Sequence, residues 1–401
     1  MNPTARTPGC GNRSLYEVFR LKKKIITFLS YVLVATLASA VTLGVTYRKD
    51  QTKLEQLLGL VESHYVDDVD LTAVQDEAAH AVVASLGDRW SYYIPASEYA
   101  AYQEQMRNAY VGVGITITVN AEGLGFDILS VEPEGPAHEA GILPGDILTH
   151  AEGRRVAGMT STAVRNIVRG KEGSFVELTV LRGEEEMTFS VERRSLQTTV
   201  AEGVLLEGGI GLVRIYNFDD RCADESVAAI EALMEQGADR IIFDVRNNGG
   251  GYAHEMVELL DYLLPQGDLF RTVDYAGREN VDTSDKACLD IPMAVLVNSE
   301  SYSAAEFFAA ALRDYDAAVI VGEQTSGKGY FQNTFKLNDG SAVALSTGKY
   351  FTPKGISLEG VGITPDVMLA LGEEEAVQLY LKQLPPEDDA QLQAAIAALA
   401  G

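Results

Sequence analysis

Between Ile25 and Tyr47 the chain reads IITFLSYVLVATLASAVTLGVTY, 23 residues without a charge. As a helix rising about 1.5 Å per residue this run would span roughly 34 Å, enough for a bilayer core. Beyond it, apolar positions in LEQLLGLVESHYV and LTAVQDEAAHAVVASLG return every three or four residues, which predicts helices. DRWSYYIPASEYAAYQEQM continues this region to residue 108 with a Pro-initiated segment. At Tyr110 the period falls to two. YVGVGITITVN and LGFDILSVEP read as strands, GPAHEAGILPGDIL as a short helix with turns around a strand, and TSTAVRNIVRG as a helix. FVELTVLR and EMTFSVER close a β-rich module of about 85 residues. From about Gly209 apolar strands (GIGLVRIYNF, RIIFDVR, IPMAVLVN, AAVIVGE) alternate with helical patterns, and this predicts a layered sheet under helical cover. Past Gly372 helical patterns resume, broken by Pro385-Pro386.

Length and charge sharpen this outline. A chain of 401 residues exceeds one small core and implies several domains. The net charge of −26 is unevenly spread: residues 1–24 carry six Arg and Lys against Glu17 alone, leaving the remainder near −31. So acidic a body argues against nucleic acid as a partner. Lys22-Lys23-Lys24 lies directly before the uncharged run, so the positive-inside rule keeps the N-terminus cytoplasmic and sends the rest across. An uncleaved anchor over 25–47 is the expectation. A cleaved signal peptide is the alternative, since Ala38-Ser39-Ala40 has the small-x-small form. The anchor puts Cys10 in the cytoplasm and Cys222 and Cys288 outside, where they read as ordinary buried thiols rather than a required disulfide.

The candidate chemistry lies in VNSESYSAAEFFAAALRDYDAAVIVGEQTSGKGYFQ, Val297 to Gln332. Ser299, Ser301 and Ser303 occupy the join between a predicted strand and a predicted helix, where the first helical N–H groups face whatever a serine would attack. Serine is also a favoured helix cap, a role without chemistry. A nucleophilic serine needs an adjacent base, and lysine can serve when burial depresses its pKa. Lys328 sits between two glycines, and Gln332 four positions on would share its face in an extended segment. Among the five histidines only His254, just after Asn247-Asn248-Gly249-Gly250-Gly251, has a suggestive position. His64 and His80 lie on predicted helices, His138 and His150 in the β-rich module. No His, Cys and carboxylate set has metal-ligand spacing, so no metal and no cofactor is expected.

The motifs YVGVGI, GPAHEAGILPGDIL, FDVRNNGGG, SYSAAE, VGEQTSGKGYFQ and YFTPKGISLEGVGITPDV follow one another in an order that resembles the carboxyl-terminal processing (tail-specific) proteases. That family comprises serine peptidases with a Ser-Lys dyad and an inserted PDZ domain, and the resemblance runs from about Leu54 to Val367. It implies Ser303 as nucleophile, Lys328 as base 25 positions later, and Gln332 as the residue assisting the lysine. It further implies an oxyanion hole from Gly249 or Gly250 with the N–H of Ala304, and capture of a substrate C-terminus by Gly112, Val113, Gly114 and Ile115. Tyr302 and Ala305 depart from the family's usual Ser-Ala-Ser-Ala-Ser-Glu run, and Tyr302 would narrow the cleft.

The resemblance thus implies an α+β or α/β multidomain chain: a basic cytoplasmic tail (1–24), a single transmembrane helix (25–47), a helical N-terminal region (48–108), a PDZ domain (109–194), a crotonase-like layered α/β protease core (195–372) and a C-terminal helical tail (373–401). The function it implies is a membrane-anchored, extracytoplasmic serine endopeptidase cutting proteins in or near their C-terminal regions. Its partners would be protein or peptide substrates with free C-termini, the membrane through the N-terminal helix, and a second copy through the helical region. Two rivals come from other classes. A catalytically dead membrane-bound PDZ scaffold would lack one of Ser303 and Lys328, and a crotonase-like acyl-transforming enzyme would bind CoA.

Overall fold

The computed structural model describes the backbone of residues 12–50 and 52–400, and the side chains of residues 20–39 and 52–400. The chain divides into two compact units, Met1–Ala81 and Val82–Gly401. In the first, one helix of 39 residues runs from Asn12 to Asp50. Its described side chains, residues 20–39, are all exposed, including Ile26, Phe28 and Tyr31. Among the described residues no helix is long and apolar enough to cross a membrane. The side chains of 40–47, the end of the expected anchor, lie outside the described residues, as do Ala40 of the cleavage motif and the first eleven residues of the basic tail. A second helix, Lys53–His64, starts at Thr52, whose hydroxyl accepts from the Glu55 N–H while the Glu55 carboxylate accepts from the Thr52 N–H.

In the second unit, residues 109–197 build the β-rich module. The strands Ile115–Val119, Phe126–Val131, Ile147–Ala151, Phe175–Arg182 and Glu185–Glu192 form an antiparallel sheet, with Arg154–Arg155 added beside Ile147–Ala151. Its core is their alternate inward set, Phe126, Ile128, Leu148, Val176, Leu178 and Val180, closed by Val164 and Val168 of the helix Ser161–Val168. A shallow groove runs between that helix and the strand edge Ile115–Val119.

The α/β region holds a six-stranded sheet in the order Ala201–Leu206, Ile210–Ile215, Arg240–Asp244, Met293–Val297, Ala318–Gly322, Val367–Met368. Only the first pair is antiparallel. Parallel strands need cover on both faces, and the strand Met293–Val297 is buried at every position. One face packs on the helices Cys222–Glu235, Ala253–Leu263 and Ala304–Asp314 through a core that includes Phe218, Phe243, Phe307 and Phe308. The other packs on Leu392 and Ala395 of the helix Ala390–Leu399. The C-terminal helical segment is therefore a layer of the core. Arg246 secures it, buried and paired with Asp244 and Asp389, each at 2.7 Å.

Adjacent parallel strands discharge their connections at one edge. The loops after Ile215, Asp244, Val297 and Gly322 thus gather at the carboxyl ends of four neighbouring strands, where open α/β sheets bind ligands.

Two expectations need correction. The region 48–108 is not helical throughout: Tyr92–Ile94 is a strand, paired antiparallel with Ala342–Phe351 in a second sheet. Pro95 disfavours a helical conformation at Ile94, and Asp88 pins a turn by accepting from the Trp90 N–H and the Ser91 hydroxyl. Of the two cysteines read as buried thiols, Cys222 is buried and Cys288 is exposed, and both are free. Cys288 lies in the connection leading into Met293–Val297, outside the packed layers.

Candidate active site

Ser303 stands where the strand Met293–Val297 hands over to the helix Ala304–Asp314. Its φ of 58° and ψ of −126° place a residue with a Cβ in the left-handed half of conformational space. Such a conformation costs about 1–3 kcal/mol and persists only where its surroundings enforce it. Here the enforcement comes from Glu306, fully buried, whose Oε2 accepts from the Ser303 N–H at 3.0 Å. The neighbouring serines are placed otherwise. Ser301 is fully buried, donates to the Val245 carbonyl at 2.7 Å and accepts from the Asn298 N–H, which spends its hydroxyl on joining two strand ends. Ser299 is exposed in the turn before it.

Glu306 also holds the lysine loop. Its Oε2 accepts from the Lys328 N–H at 2.8 Å, and its Oε1 accepts from the Gly327 N–H at 2.8 Å and from the Thr325 hydroxyl. One carboxylate therefore fixes the backbones of Ser303 and Lys328 together. Burial pushes the Glu306 pKa up, against these hydrogen bonds. Lys328 extends into the same cleft as Ser303, with Nζ 5.0 Å from the centroid of Trp90 and 5.8 Å from that of Tyr302. Burial depresses its pKa to about 8, although Asp88, Glu359 and Glu306 pull the other way. At neutral pH a measurable fraction of the amine is thus neutral, the state a base requires. Gln332 lines the cleft too. Its amide nitrogen is taken by the Tyr330 carbonyl at 3.1 Å and the Ser346 hydroxyl at 3.0 Å, leaving Oε1 as the atom able to accept from an amine.

The glycine run forms the facing wall. A Cβ on Gly250 would come within 2.8 Å of the Ser303 Cβ and 2.9 Å of the Ala304 nitrogen, so the loop approaches Ser303 this closely only as glycine. The Gly250 N–H donates to Asn248 Oδ1 at 2.8 Å. Of the two glycines expected to offer a donor, Gly250 has already committed its own. Gly249 and Ala304, the latter at the first turn of its helix, keep theirs. The Tyr302 hydroxyl lies 2.6 Å from where a Gly249 Cβ would be, so Tyr302 packs against the glycine loop on the cleft wall. His254 is exposed and does not line it.

The cleft, about 1080 Å³, therefore brings Ser303, Lys328, Gln332, Gly249 and Gly250 together, with Ala304 beside them. Gly112, Val113, Gly114 and Ile115 lie elsewhere, along the groove of the β-rich module with Arg165 and Arg169. Gly114 has φ +78°, and the Val113 and Gly114 carbonyls are tied to the N–H groups of Ala137 and Glu132.

Sequence reasoning assigned no role to Glu306, Asp88, Trp90 or Asp219, which surround the site. Burial works against the Asp88 carboxylate, but hydrogen bonds from Ser346, Ser91 and the Trp90 N–H, with the Lys328 charge, hold its pKa below the usual value. The Asp-x-x-Ser spacing of Asp88 and Ser91 was the available signal of a turn. Asp219 carried none. Nor did the sequence show that Asp220, His254 and Glu255 meet, their ligand atoms lying within 4.8 Å of one another.

Comparison with known proteins agrees with this architecture. The profile of peptidase family S41 matches residues 209–369 and that of the PDZ domain residues 111–192. A protein of Staphylococcus epidermidis described as a probable CtpA-like serine protease is 30% identical over 363 residues, 90% of this chain and 73% of that one. An S41 protease structure from Bacteroides fragilis superposes with a TM-score of 0.51 at 17% identity, over 86% of this chain and 97% of that one, and shares the fold. The photosystem II D1 C-terminal processing protease is 28% identical, over 80% of this chain and 87% of that one, with a TM-score of 0.46. With a 30% identical relative spanning nine-tenths of its length, the chain belongs to peptidase family S41, as a multidomain α/β serine peptidase of the C-terminal processing type that carries a PDZ domain.

Proposed function

We propose that the chain is a membrane-anchored, extracytoplasmic endopeptidase that cuts proteins in or near their C-terminal regions with a Ser303–Lys328 dyad. The observation that carries this reading is the half-buried Lys328, its pKa depressed to about 8, in one cleft with a Ser303 held at positive φ. In the reaction Ser303 Oγ adds to the scissile carbonyl carbon as its proton passes to the neutral Lys328 amine. The carbonyl electrons move onto oxygen, and the resulting oxyanion accepts hydrogen bonds from the N–H groups of Gly249 and Ala304. The C–N bond then breaks, Lys328 returns the proton to the leaving amine, and water releases the acyl group from Ser303 by the same route. Gln332 Oε1 orients the amine.

The PDZ groove supplies recognition. A peptide added along Ile115–Val119 would place its terminal carboxylate at the Gly112–Ile115 turn, with Arg165 and Arg169 nearby to favour the charge. Anchoring rests on the uncharged run 25–47 behind three lysines, and on the uncovered apolar side chains from Ile25 to Leu37. The C-termini of a host proteome, compared between cells carrying wild-type protein and the Ser303→Ala variant, test the activity: a set of shortened C-termini should vanish with Ser303. Identical sets would refute it. Protease added outside intact cells should digest everything after Arg48, and protection of that part would refute the topology.

A further inference from the structure

Asp219 stands on the wall of the active-site cleft, in the loop after the strand Ile210–Ile215. It is 6% exposed, and its Oδ1 is sealed from solvent with no hydrogen-bond partner. A buried carboxylate without a partner is costly and calls for an explanation. Burial, and then the acidic neighbours Asp220 and Glu255, push its pKa up to about 7. Among the described residues no salt bridge reaches Asp219.

Its position relative to Ser303 is fixed by backbone contacts. Gly251 bridges to Phe218, and a Cβ on Gly251 would lie 2.6 Å from the Asp219 nitrogen. Gly250, one residue earlier, abuts the Ser303 Cβ. Asp219 therefore stands beside the glycine loop whose preceding residue abuts Ser303, on the wall of the same cleft. A substrate residue flanking the scissile bond at Ser303 would extend along this wall.

We infer that Asp219 is a specificity-determining residue of the cleft, which receives the cationic side chain of a Lys or Arg next to the cut in the substrate. The inference rests on the peptidase reading above and names its substrate class. A divalent cation is the competing occupant, at Asp220, His254 and Glu255. It is disfavoured because both Glu255 oxygens already accept backbone N–H groups, from Arg221 at 3.0 Å and Ala223 at 2.9 Å. The basic side chain instead supplies the charge and donors that Asp219 lacks, and its desolvated pairing with a fixed carboxylate makes discrimination steep.

The test uses the full chain in detergent and a library of internally quenched peptides with free C-termini, with cut positions read by mass spectrometry. Cuts should concentrate where Lys or Arg lies within one residue of the bond. For a matched pair of the best peptide, Lys against uncharged norleucine, wild type should prefer Lys by about 10–100-fold in kcat/KM, the range for a charged hydrogen-bonded pair. Asp219→Asn should erase that preference while leaving norleucine turnover within about threefold, and Asp219→Glu should restore part of it. Ser303-dependent cuts without a basic preference, or a preference that survives Asp219→Asn, overturn the inference and leave the peptidase reading standing. A Lys preference that EDTA removes and Ca²⁺ or Zn²⁺ restores overturns it in favour of the cation. No Ser303-dependent cuts at all overturn the peptidase reading itself. Asp220→Asn, tested alongside, should change the preference less than Asp219→Asn, and the reverse order would also sink the assignment.

Discussion

The cleft beside Ser303 and the groove beside Ile115, the two surfaces proposed to receive a peptide, are built by opposite means. In the groove the donors sit on a strand edge and a glycine turn, held by ordinary hydrogen bonds such as Ala137 N–H to the Val113 carbonyl. In the cleft a serine is forced to positive φ, a glutamate is fully buried, a lysine is depressed to about 8 and an aspartate is raised to about 7. Recognition by strand addition requires only an unpaired edge. Bond breaking and the selection of a charged substrate side chain require side chains held in states they would not adopt in water, and the surrounding core bears that cost.

The largest effect should come from removing the nucleophile. Ser303→Ala should lower kcat/KM by about 10⁴-fold or more with little change in Tm, as for nucleophiles acting in a unit with their base. Ser301→Ala should do the reverse: its two buried bonds are worth about 1–2 kcal/mol, so Tm should fall while most turnover survives. Equal losses of activity in both would erase the distinction between chemistry and scaffold at this loop.

Next comes the base. Lys328→Ala should cost about 10³-fold, and Lys328→Arg as much, because arginine does not deprotonate in a protein. Only the neutral amine can take the serine proton, so wild-type kcat/KM should rise with pH through an ionisation near 8 and fall below it. The same shift has a stability sign. The folded pKa lies below the unfolded value of 10.5, so between about 8 and 10.5 the unfolded chain binds more protons and stability rises with pH. Below 8 the full cost of the buried charge is present, and Lys328→Met should be more stable than wild type at pH 7. A pH profile flat from 6 to 9 would remove Lys328 as base.

Glu306→Gln should be smaller in activity, about 10²-fold in kcat with KM nearly unchanged, because it loosens the placement of two groups without deleting either. An amide must turn an NH₂ toward N–H donors, so Tm should also drop, by the equivalent of about 1–3 kcal/mol. An unaltered kcat would mean that the shared carboxylate does not set the geometry. The smallest effect belongs to the groove: amidating a substrate's C-terminus should raise KM by about 3–10-fold and spare kcat, since only a rim-exposed charge is lost. If kcat changes instead, the groove and the cleft are more tightly joined than their construction suggests.

Much of this was legible in the sequence because ordered motifs fix both chemistry and topology. The family resemblance, through its 25-residue separation, pointed to Ser303 rather than Ser301 or Ser299, and the fold puts Ser303 in the cleft with Lys328. What escaped depends on contacts between segments far apart in the chain. Asp219 and the glycine loop meet only through the Phe218–Gly251 bridge, and Asp88 reaches the lysine loop only because Tyr92–Ile94 joins the second sheet. The Gly250 N–H could not be ruled out as a donor before Asn248 was seen to take it. The helix Ala390–Leu399 read as a tail because its apolar stripe has no local partner; the partner is the far face of the sheet.

The double grip of Glu306 has a consequence for motion. Ser303 and Lys328 belong to different loops that follow neighbouring strands. Since the same oxygen holds both main-chain nitrogens, at 3.0 Å and 2.8 Å, a displacement of either loop is transmitted to the other. The two main chains are thereby referred to one atom, so whatever moves one must move the other or break a hydrogen bond to a buried carboxylate. In the proposed reaction the alignment of serine and lysine would therefore depend on a single side chain rather than on two independent loops.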